Sequence, residues 1–147
     1  MSRLSVGNYF TSIAHLVAAR ATCPRRQVGC VIVSEENHIL ATGYNGVPKG
    51  IPHCIDSPCP GAQYATGEGL DKCQATHAEY NALEQCNSLE QARTVYITTS
   101  PCVACLKLLI NTPITHLVFA DTYITWHNIN TLWTATGRTW EQLNECK

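Results

Sequence analysis

The chain has 147 residues, 45% of them hydrophobic and 14% charged, with a formal net charge of −1. This length predicts a single domain, residues 1–147, with a sizeable core, and the near-neutral charge argues against a dedicated nucleic-acid binder, which would carry an excess of Lys and Arg. No apolar run approaches the roughly 18 residues of a membrane span, and the first residues lack the apolar core of a signal peptide, so the expected location is the cytoplasm.

The first half of the chain predicts a helix, a hairpin and a long loop. Apolar residues in 4–20 recur at the spacing of one helix face, and Pro24 cannot continue that helix. The β-branched run 28–33 and residues 38–43 predict two strands joined by a polar turn. From residue 43 to residue 73 the chain is rich in Gly, Pro, Ser and Cys, so we expect an irregular loop, and loops of this length are usually functional.

The second half predicts alternating helices and strands. The patterns predict helices over residues 77–86, 102–110 and 129–136, strands over residues 94–98 and 114–120, and a loop over residues 121–128. Thr76 is the expected N-cap of the first of these helices, and Pro101 suits the first position of the second. This order of elements predicts an α/β fold with helices on both faces of a mixed sheet.

Two motifs at the starts of successive predicted helices carry the chemistry. The first is His-x-Glu, at His77 and Glu79, and the second is Pro-Cys-x-x-Cys, which contains Cys102 and Cys105. Two thiolates and one imidazole suit Zn²⁺, and three protein ligands leave a fourth position open for water, as in catalytic sites. Glu79 lies two residues from His77 and is therefore placed to move protons at the metal. The combination is the signature of zinc nucleobase deaminases, in which the Glu is not a ligand.

Two other interpretations of these motifs remain open at this point. One is a closed structural zinc site, and the other is a set of helix-capping residues beside an incidental pair of cysteines. A lone Cys-x-x-Cys is not specific. The presence of both motifs at successive helix starts, with a strand between them, favours the deaminase.

The chain resembles the deoxycytidylate (dCMP) deaminase family over nearly its whole length. The shared motifs are Val28-Gly29, Gly43-Tyr44-Asn45-Gly46, His77-Ala78-Glu79-x-Asn81-Ala82, Ser100-Pro101-Cys102-x-x-Cys105 and Asp121-Thr122-Tyr123. The catalytic motif is common to many cytidine-deaminase-like enzymes, whereas Gly-Tyr-Asn-Gly narrows the resemblance to dCMP deaminases. The Pro-Cys-Pro-Gly stretch at residues 58–61 resembles the bacterial and phage branch.

The resemblance implies a three-layer α/β/α sandwich of the cytidine deaminase type. It also implies hydrolysis of dCMP to dUMP and ammonia, which feeds dTMP synthesis, with Glu79 moving protons from the attacking water to N3 and to the leaving amine. The implied substrate-binding residues are Asn45, Ala78, Ser100 and Tyr123. Of these, Asn45 is expected at the deoxyribose and Tyr123 near the pyrimidine, although a turn residue and a core aromatic are the structural alternatives.

Regulation is a further implication of the resemblance. Members of this family are commonly homo-hexamers activated by dCTP and inhibited by dTTP, with Mg²⁺ accompanying the triphosphate. The low share of charged residues also favours an oligomer with part of its surface covered by other subunits. The segment that resembles the effector-binding loop consists of Gly43, Tyr44, Asn45 and Gly46.

The 5′-phosphate of such a substrate needs hydrogen-bond donors. Arg25, Arg26 and Lys49 flank the loops named above and are the candidates, although each is also typical of a solvated surface charge. Backbone N–H groups of the long loop are an alternative source of donors.

The chain contains nine cysteines, a high number that indicates metal binding or catalysis when no signal peptide is expected. The number is also odd, so the cysteines cannot all be paired within one chain. Four of them lie in or beside the long loop and are candidates for a second, structural zinc site: Cys23, Cys54, Cys59 and Cys73. His53 adjoins this set, and some members of the resembled family carry such a site. The alternative is a set of reduced free thiols. Cys30 and Cys86 fall on predicted core faces, and Cys146 is unassigned.

Two classes of rival function remain. One is a deaminase with another substrate, such as dCTP, a free nucleoside, a tRNA adenine or single-stranded DNA. The other is a zinc-stabilised binding module without catalytic activity. Glu79 argues against the module, because a closed structural zinc site has no use for it, and the small net charge argues against the polynucleotide substrates.

Overall fold

A computed structural model describes residues 2–143 of the chain. The elements in chain order are α1 (Val6–Ala18), β1 (Gly29–Ser34), β2 (Ile39–Tyr44), α2 (Ala78–Gln85), β3 (Ala92–Thr99), α3 (Val103–Ile110), β4 (His116–Asp121), α4 (Trp126–Thr134) and β5 (Thr139–Gln142). Between β2 and α2 there is one short 3-10 turn, Leu70–Lys72, which confirms the prediction of a long loop with little regular structure.

The five strands form one mixed sheet in the order β2-β1-β3-β4-β5. β1 is antiparallel to both β2 and β3, whereas β3, β4 and β5 run parallel to one another. Parallel neighbours need a crossover connection, and α3 and α4 supply the two that this sheet requires. The register places Cys30 opposite Ile97 across the antiparallel pair, and both side chains are fully buried.

Helices cover both faces of the sheet, as predicted for a three-layer α/β/α sandwich. On one face α1 packs on β1 and β3, and the ring of Phe10 lies 5.1 Å from that of Tyr96. On the other face, α2, α3 and α4 bury a larger apolar cluster that includes Ala82, Leu106, Leu109, Trp126 and Trp133. None of the helices within residues 2–143 has the length and apolar character needed to cross a membrane.

Gly43 of β2 allows α2 to lie directly on the sheet. A Cβ atom at this position would overlap the backbone of α2 at Ala78 and Ala82. Because overlap with backbone is relieved only by moving the helix, a side chain here would displace α2 and the residues at its start. The glycine therefore sets the height of α2 above the sheet.

Two predicted helix starts are wrong. Thr76 does not cap α2, because its backbone pairs with Gly46 in an isolated bridge, with N–O distances of 2.7 and 3.0 Å, and His77 occupies the N-cap position. Pro101 is not the first residue of α3 either, since Cys102 is the N-cap and the helix begins at Val103. Each helix thus begins one residue later than the predicted ranges 77–86 and 102–110.

The end of the described chain differs most from the prediction. The last helix begins at Trp126, inside the predicted loop, because the indole packs edge-on against Phe119 at 5.1 Å. β5 was not predicted at all. It contains four residues, three of them exposed, so it lacks the apolar alternation of a strand. Cys146 lies outside the described residues.

Candidate active site

The candidate site lies where α2 and α3 begin, at the edge of the sheet where β3 and β4 end. Ser100 follows β3, and Tyr123 follows β4. A pocket at this edge is lined by His77, Glu79 and Cys102 together with residues of the long loop. Open α/β sheets commonly bind ligands outside the carboxyl ends of their parallel strands.

The structure brings together the three predicted zinc ligands. Nδ1 of His77 lies 3.4 Å from Sγ of Cys102 and 3.4 Å from Sγ of Cys105. A tetrahedral zinc ion bound to one imidazole nitrogen and two thiolates separates nitrogen from sulfur by about 3.6 Å, so both the spacing and the donor set fit zinc. Within residues 2–143 this is the one group of three or more His, Cys, Asp or Glu side chains whose ligand atoms all lie within 4.8 Å of one another.

The two sulfurs have different proton affinities in the absence of metal. The hydrogen bond from Cys105 and the interaction with His77 lower the pKa of Cys102 to about 4. The same Cys102 hydrogen bond, together with burial, raises the pKa of Cys105. The hydrogen bond to Cys102 also raises the pKa of His77, although burial and the charge of Arg26 act against it. The lowered pKa of Cys102 favours its thiolate, and Cys102 is the N-cap of a helix whose dipole favours negative charge.

Glu79 is enclosed beside this cluster but is not part of it. Its side chain is 4% exposed, and burial raises the pKa of its carboxyl group, while a hydrogen bond from Cys105 acts in the opposite direction. A carboxyl group with a raised pKa in the wall of a pocket suits proton transfer. Glu79 thus lies beside the three candidate ligands without being one of them, and its role as a proton carrier stays a prediction.

All four predicted substrate-binding residues line the pocket: Asn45, Ala78, Ser100 and Tyr123. Oγ of Ser100 accepts a hydrogen bond of 2.6 Å from the backbone N–H of Tyr123, which fixes the turn after β4 against the turn after β3. Both side chains of this pair are at least 90% buried.

The side-chain amide of Asn45 joins the loop after β2 to the segment before β1. Its Oδ1 accepts from the N–H of Val28 at 2.8 Å, and its Nδ2 donates to the carbonyl of Arg26 at 2.9 Å. Each of these groups still has capacity for one further hydrogen bond, because an amide oxygen has two lone pairs and an NH₂ has two hydrogens. The structural role and a ligand contact are therefore compatible.

The three candidate cations differ in their surroundings. Arg25 and Arg26 line the pocket, whereas Lys49 does not. Nη1 of Arg25 donates to three backbone carbonyls of the long loop at 2.8–3.1 Å, those of Tyr64, Ala65 and Glu68. The guanidinium of Arg26 instead lies over the ring of Tyr123, 4.4 Å from its centroid.

The two glycines of the Gly-Tyr-Asn-Gly segment lie against neighbouring elements of the fold. Gly43 and Gly46 are buried, Gly43 beneath α2 and Gly46 in the bridge with Thr76. Asn81, which was recognised only as part of the motif, donates from Nδ2 to the carbonyl of Tyr44 at 2.8 Å and so ties α2 to this segment. The only sign of this contact in the sequence is that a polar residue, Asn81, stands about one turn into the predicted helix.

The four loop cysteines are only partly brought together. Cys54 and Cys59 are hydrogen-bonded, burial raises the pKa of Cys54, and backbone N–H groups, that of Gln74 above all, lower the pKa of Cys59. Cys23 lies near Cys54, and Cys73 lines the active-site pocket with Cys23. In the described part of the chain, no three of these sulfurs lie within 4.8 Å of one another. Cys30 and Cys86 pack in the apolar core, as predicted.

Comparison with known sequences agrees with this geometry. Residues 5–121 match the family model described as the cytidine and deoxycytidylate deaminase zinc-binding region. The deoxycytidylate deaminase of Mycobacterium phage D29 is 38% identical over 127 residues, which cover 81% of this chain and 97% of that protein. ComE operon protein 2 of Bacillus subtilis is 36% identical, with coverage of 97% of this chain and 74% of that protein.

Some relatives are much longer. The deoxycytidylate deaminase of Saccharomyces cerevisiae is 37% identical over 84% of this chain, but the match covers 40% of the yeast protein. This chain therefore spans about two fifths of that relative.

Solved structures show the same fold. The apo structure of dCMP deaminase from the cyanophage S-TIM5 superposes with a TM-score of 0.73 at 22% identity, covering 97% of this chain and 100% of that one. A second structure of that protein, in complex with dCMP and dUMP, has the same TM-score at 23% identity. With the family match extending over both zinc-ligand motifs, the chain belongs to the cytidine and deoxycytidylate deaminase family.

Proposed function

We propose that this chain is a single-domain, zinc-dependent enzyme that hydrolyses dCMP to dUMP and ammonia. The observation that carries the proposal is the open His77, Cys102 and Cys105 cluster with a buried Glu79 beside it in a pocket. Relatives named as deoxycytidylate deaminases, one of nearly the same length, support dCMP as the substrate. A closed structural site would have no use for the buried carboxyl group.

The mechanism follows from what each residue can do. His77, Cys102 and Cys105 would hold zinc, which would supply Lewis acidity and lower the pKa of a water molecule to about 7. In this proposal Glu79 accepts one proton from the water that attacks C4 of the cytosine and delivers it to N3. It then accepts the second proton from the hydroxyl now on C4 and delivers it to the amine, so that the C4 carbonyl forms as the C4–N bond breaks and ammonia leaves. The raised pKa of its carboxyl group suits it to both accept and return protons.

The pocket residues orient the nucleotide in this proposal. Asn45 uses its remaining hydrogen-bond capacity on the deoxyribose, and Tyr123 lies beside the pyrimidine. Ala78 is the first residue of α2, so its backbone N–H has no partner within the helix and is available to the base. Ser100 holds the turn of Tyr123 and borders the same space.

One assay tests the proposal. Ammonia release is measured side by side from dCMP, dCTP, deoxycytidine and CMP with the zinc-loaded protein, and dCMP is expected to give the highest kcat/KM. Faster turnover of dCTP would favour the alternative of a triphosphate deaminase. Release of no ammonia from any of the four would contradict the proposed function and favour the non-catalytic zinc module.

We also propose homo-hexamer assembly and regulation by dCTP with Mg²⁺ and by dTTP, with the effector at Gly43, Tyr44, Asn45 and Gly46. The support is the resemblance of this segment to the family's effector loop. Its connection to α2 through Asn81 would link an effector there to the helix that carries Glu79. Sigmoidal dCMP kinetics that become hyperbolic with dCTP, and a hexameric mass in light scattering, are expected. Hyperbolic kinetics unaffected by either triphosphate would refute the regulation.

A second zinc held by Cys23, Cys54, Cys59 and Cys73 completes the proposed cofactors. Its support is the pairing of Cys54 with Cys59 in a loop that has little regular structure to stabilise it. We predict two zinc ions per chain by metal analysis, and one in the Cys54→Ser variant. The matched control is Cys86→Ser, which changes a core cysteine outside both sets and should retain two. One zinc per wild-type chain would show that these thiols are free.

A further inference from the structure

We propose that Arg26 binds the 5′-phosphate of the substrate and makes the enzyme select nucleoside monophosphates over nucleosides. This inference rests on the proposed deaminase function and adds to it the residue that recognises the phosphate.

Two adjacent arginines differ in their contacts. Arg25 is anchored to the long loop through one nitrogen, Nη1, which donates to three of its backbone carbonyls. Arg26 has no hydrogen-bond acceptor and no carboxylate partner for its guanidinium within residues 2–143. A guanidinium has five N–H donors and keeps its charge at any physiological pH. Arg26 therefore brings an unused set of donors to the wall of the pocket.

The guanidinium of Arg26 lies over the ring of Tyr123, 4.4 Å from the centroid. An arginine that stacks on an aromatic ring uses its flat face for that contact and keeps its N–H donors at the edge. The in-plane edge therefore stays available for two parallel hydrogen bonds to phosphate oxygens, the geometry in which arginine recognises phosphate best.

The main chain at Arg26 is held in place by Asn45. Its carbonyl accepts from Nδ2 of Asn45, and the N–H of Val28 donates to Oδ1 of the same side chain. Tyr123 is fixed in turn by its backbone bond to Ser100. Anchored backbone on one side and an anchored ring on the other reduce the freedom that Arg26 would lose when it binds an anion.

Arg25 and Arg26 are the two cationic side chains in the described pocket wall, and Arg25 is already used by the loop. A single uncommitted guanidinium matches the dianion of a monophosphate better than the larger charge of a triphosphate. Because Glu79, His77 and Cys102 line the same pocket as Arg26, one nucleotide can meet both the reacting groups and this guanidinium there.

The test compares a substrate that carries the phosphate with one that lacks it. For Arg26→Gln, kcat/KM for dCMP is expected to fall by about 10²-fold, the typical effect of losing a charge-assisted pair of hydrogen bonds. The value for deoxycytidine should stay within about threefold of wild type. Lys107→Gln, which removes an exposed cation from α3 outside the pocket, is the matched control and should change neither value.

A binding measurement separates this inference from the proposed function. By isothermal titration calorimetry with dUMP and deoxyuridine, Arg26→Gln should weaken dUMP binding alone, by about 10²-fold. Equal losses for phosphorylated and unphosphorylated ligands, or no loss for either, would show that Arg26 only supports Tyr123 and would overturn the inference. If wild-type protein released no ammonia, the proposed function would fail, while dUMP binding would still decide the role of Arg26.

Discussion

The Glu79→Gln variant is expected to lose dCMP deamination, with kcat reduced by about 10³-fold or more, while it keeps its zinc. Gln has nearly the same shape as Glu but cannot carry a proton between the attacking water, N3 and the leaving amine. A positioned general acid or base contributes roughly 10²–10⁴-fold to the rate. Steady-state kinetics and metal analysis on the same preparation check both parts. Turnover within about tenfold of wild type would remove Glu79 from the mechanism.

The same variant has an expected effect on stability that serves as its folding control. Burial raises the pKa of Glu79, so between the ordinary glutamate pKa and that raised value the folded chain holds a proton that the unfolded chain has released. In this window the free energy of unfolding falls as pH rises, and this loss of stability persists at higher pH. Zinc-free Glu79→Gln should therefore have a higher Tm than zinc-free wild type at pH 7, and the difference should shrink toward pH 4. A lower Tm at pH 7 would indicate that the ionised carboxylate is better satisfied than its burial implies.

Substitution of the buried ligand Cys105 by Ser is the second change with a large expected effect. The variant should bind one zinc fewer per chain, and its deaminase activity should fall below about 1% of wild type, because a hydroxyl group is a poor zinc ligand at neutral pH. Cys105 is 3% exposed, and its sulfur contacts both other ligands and Glu79. Metal analysis after dialysis and the ammonia assay give the two readouts.

The control for Cys105→Ser is again Cys86→Ser. Cys86 lies at the end of α2 and packs on the core without touching the ligand cluster. It should keep full zinc content and near-normal activity. Equal zinc content in the two variants would mean that Cys105 is not a ligand.

The catalytic part of the site could be predicted because the residues within each of its two motifs are close together in the sequence. His77 and Glu79 are two residues apart, and Cys102 and Cys105 are three apart, so each pair needs only the start of one helix to reach its geometry. The imidazole and thiolate groups then restrict which metal ion the site can bind. Even an error of one position in each helix start left the prediction intact, since it moved both members of each pair together.

Other parts depend on contacts between distant segments and could not be predicted. Arg25 and Arg26 are identical in type and adjacent in sequence, yet one is used by residues about 40 positions away and the other faces Tyr123. β5 is a strand only because β4 offers it an edge to pair with. Its own residues are too few and too exposed to produce a period-two pattern.

The ligand cluster also has a thermodynamic consequence for the whole chain. Cys102 and His77 are 25 positions apart, and they precede two different helices, so a zinc ion bound between them links α2 to α3 and closes the intervening segment. By mass action, a ligand that binds only the folded chain adds about 4 kcal/mol to the free energy of unfolding at a thousandfold excess over its Kd. We therefore expect the melting temperature of this protein to rise with the free zinc concentration around it. When zinc is scarce, the proposed deaminase reaction and part of the stability should be lost together.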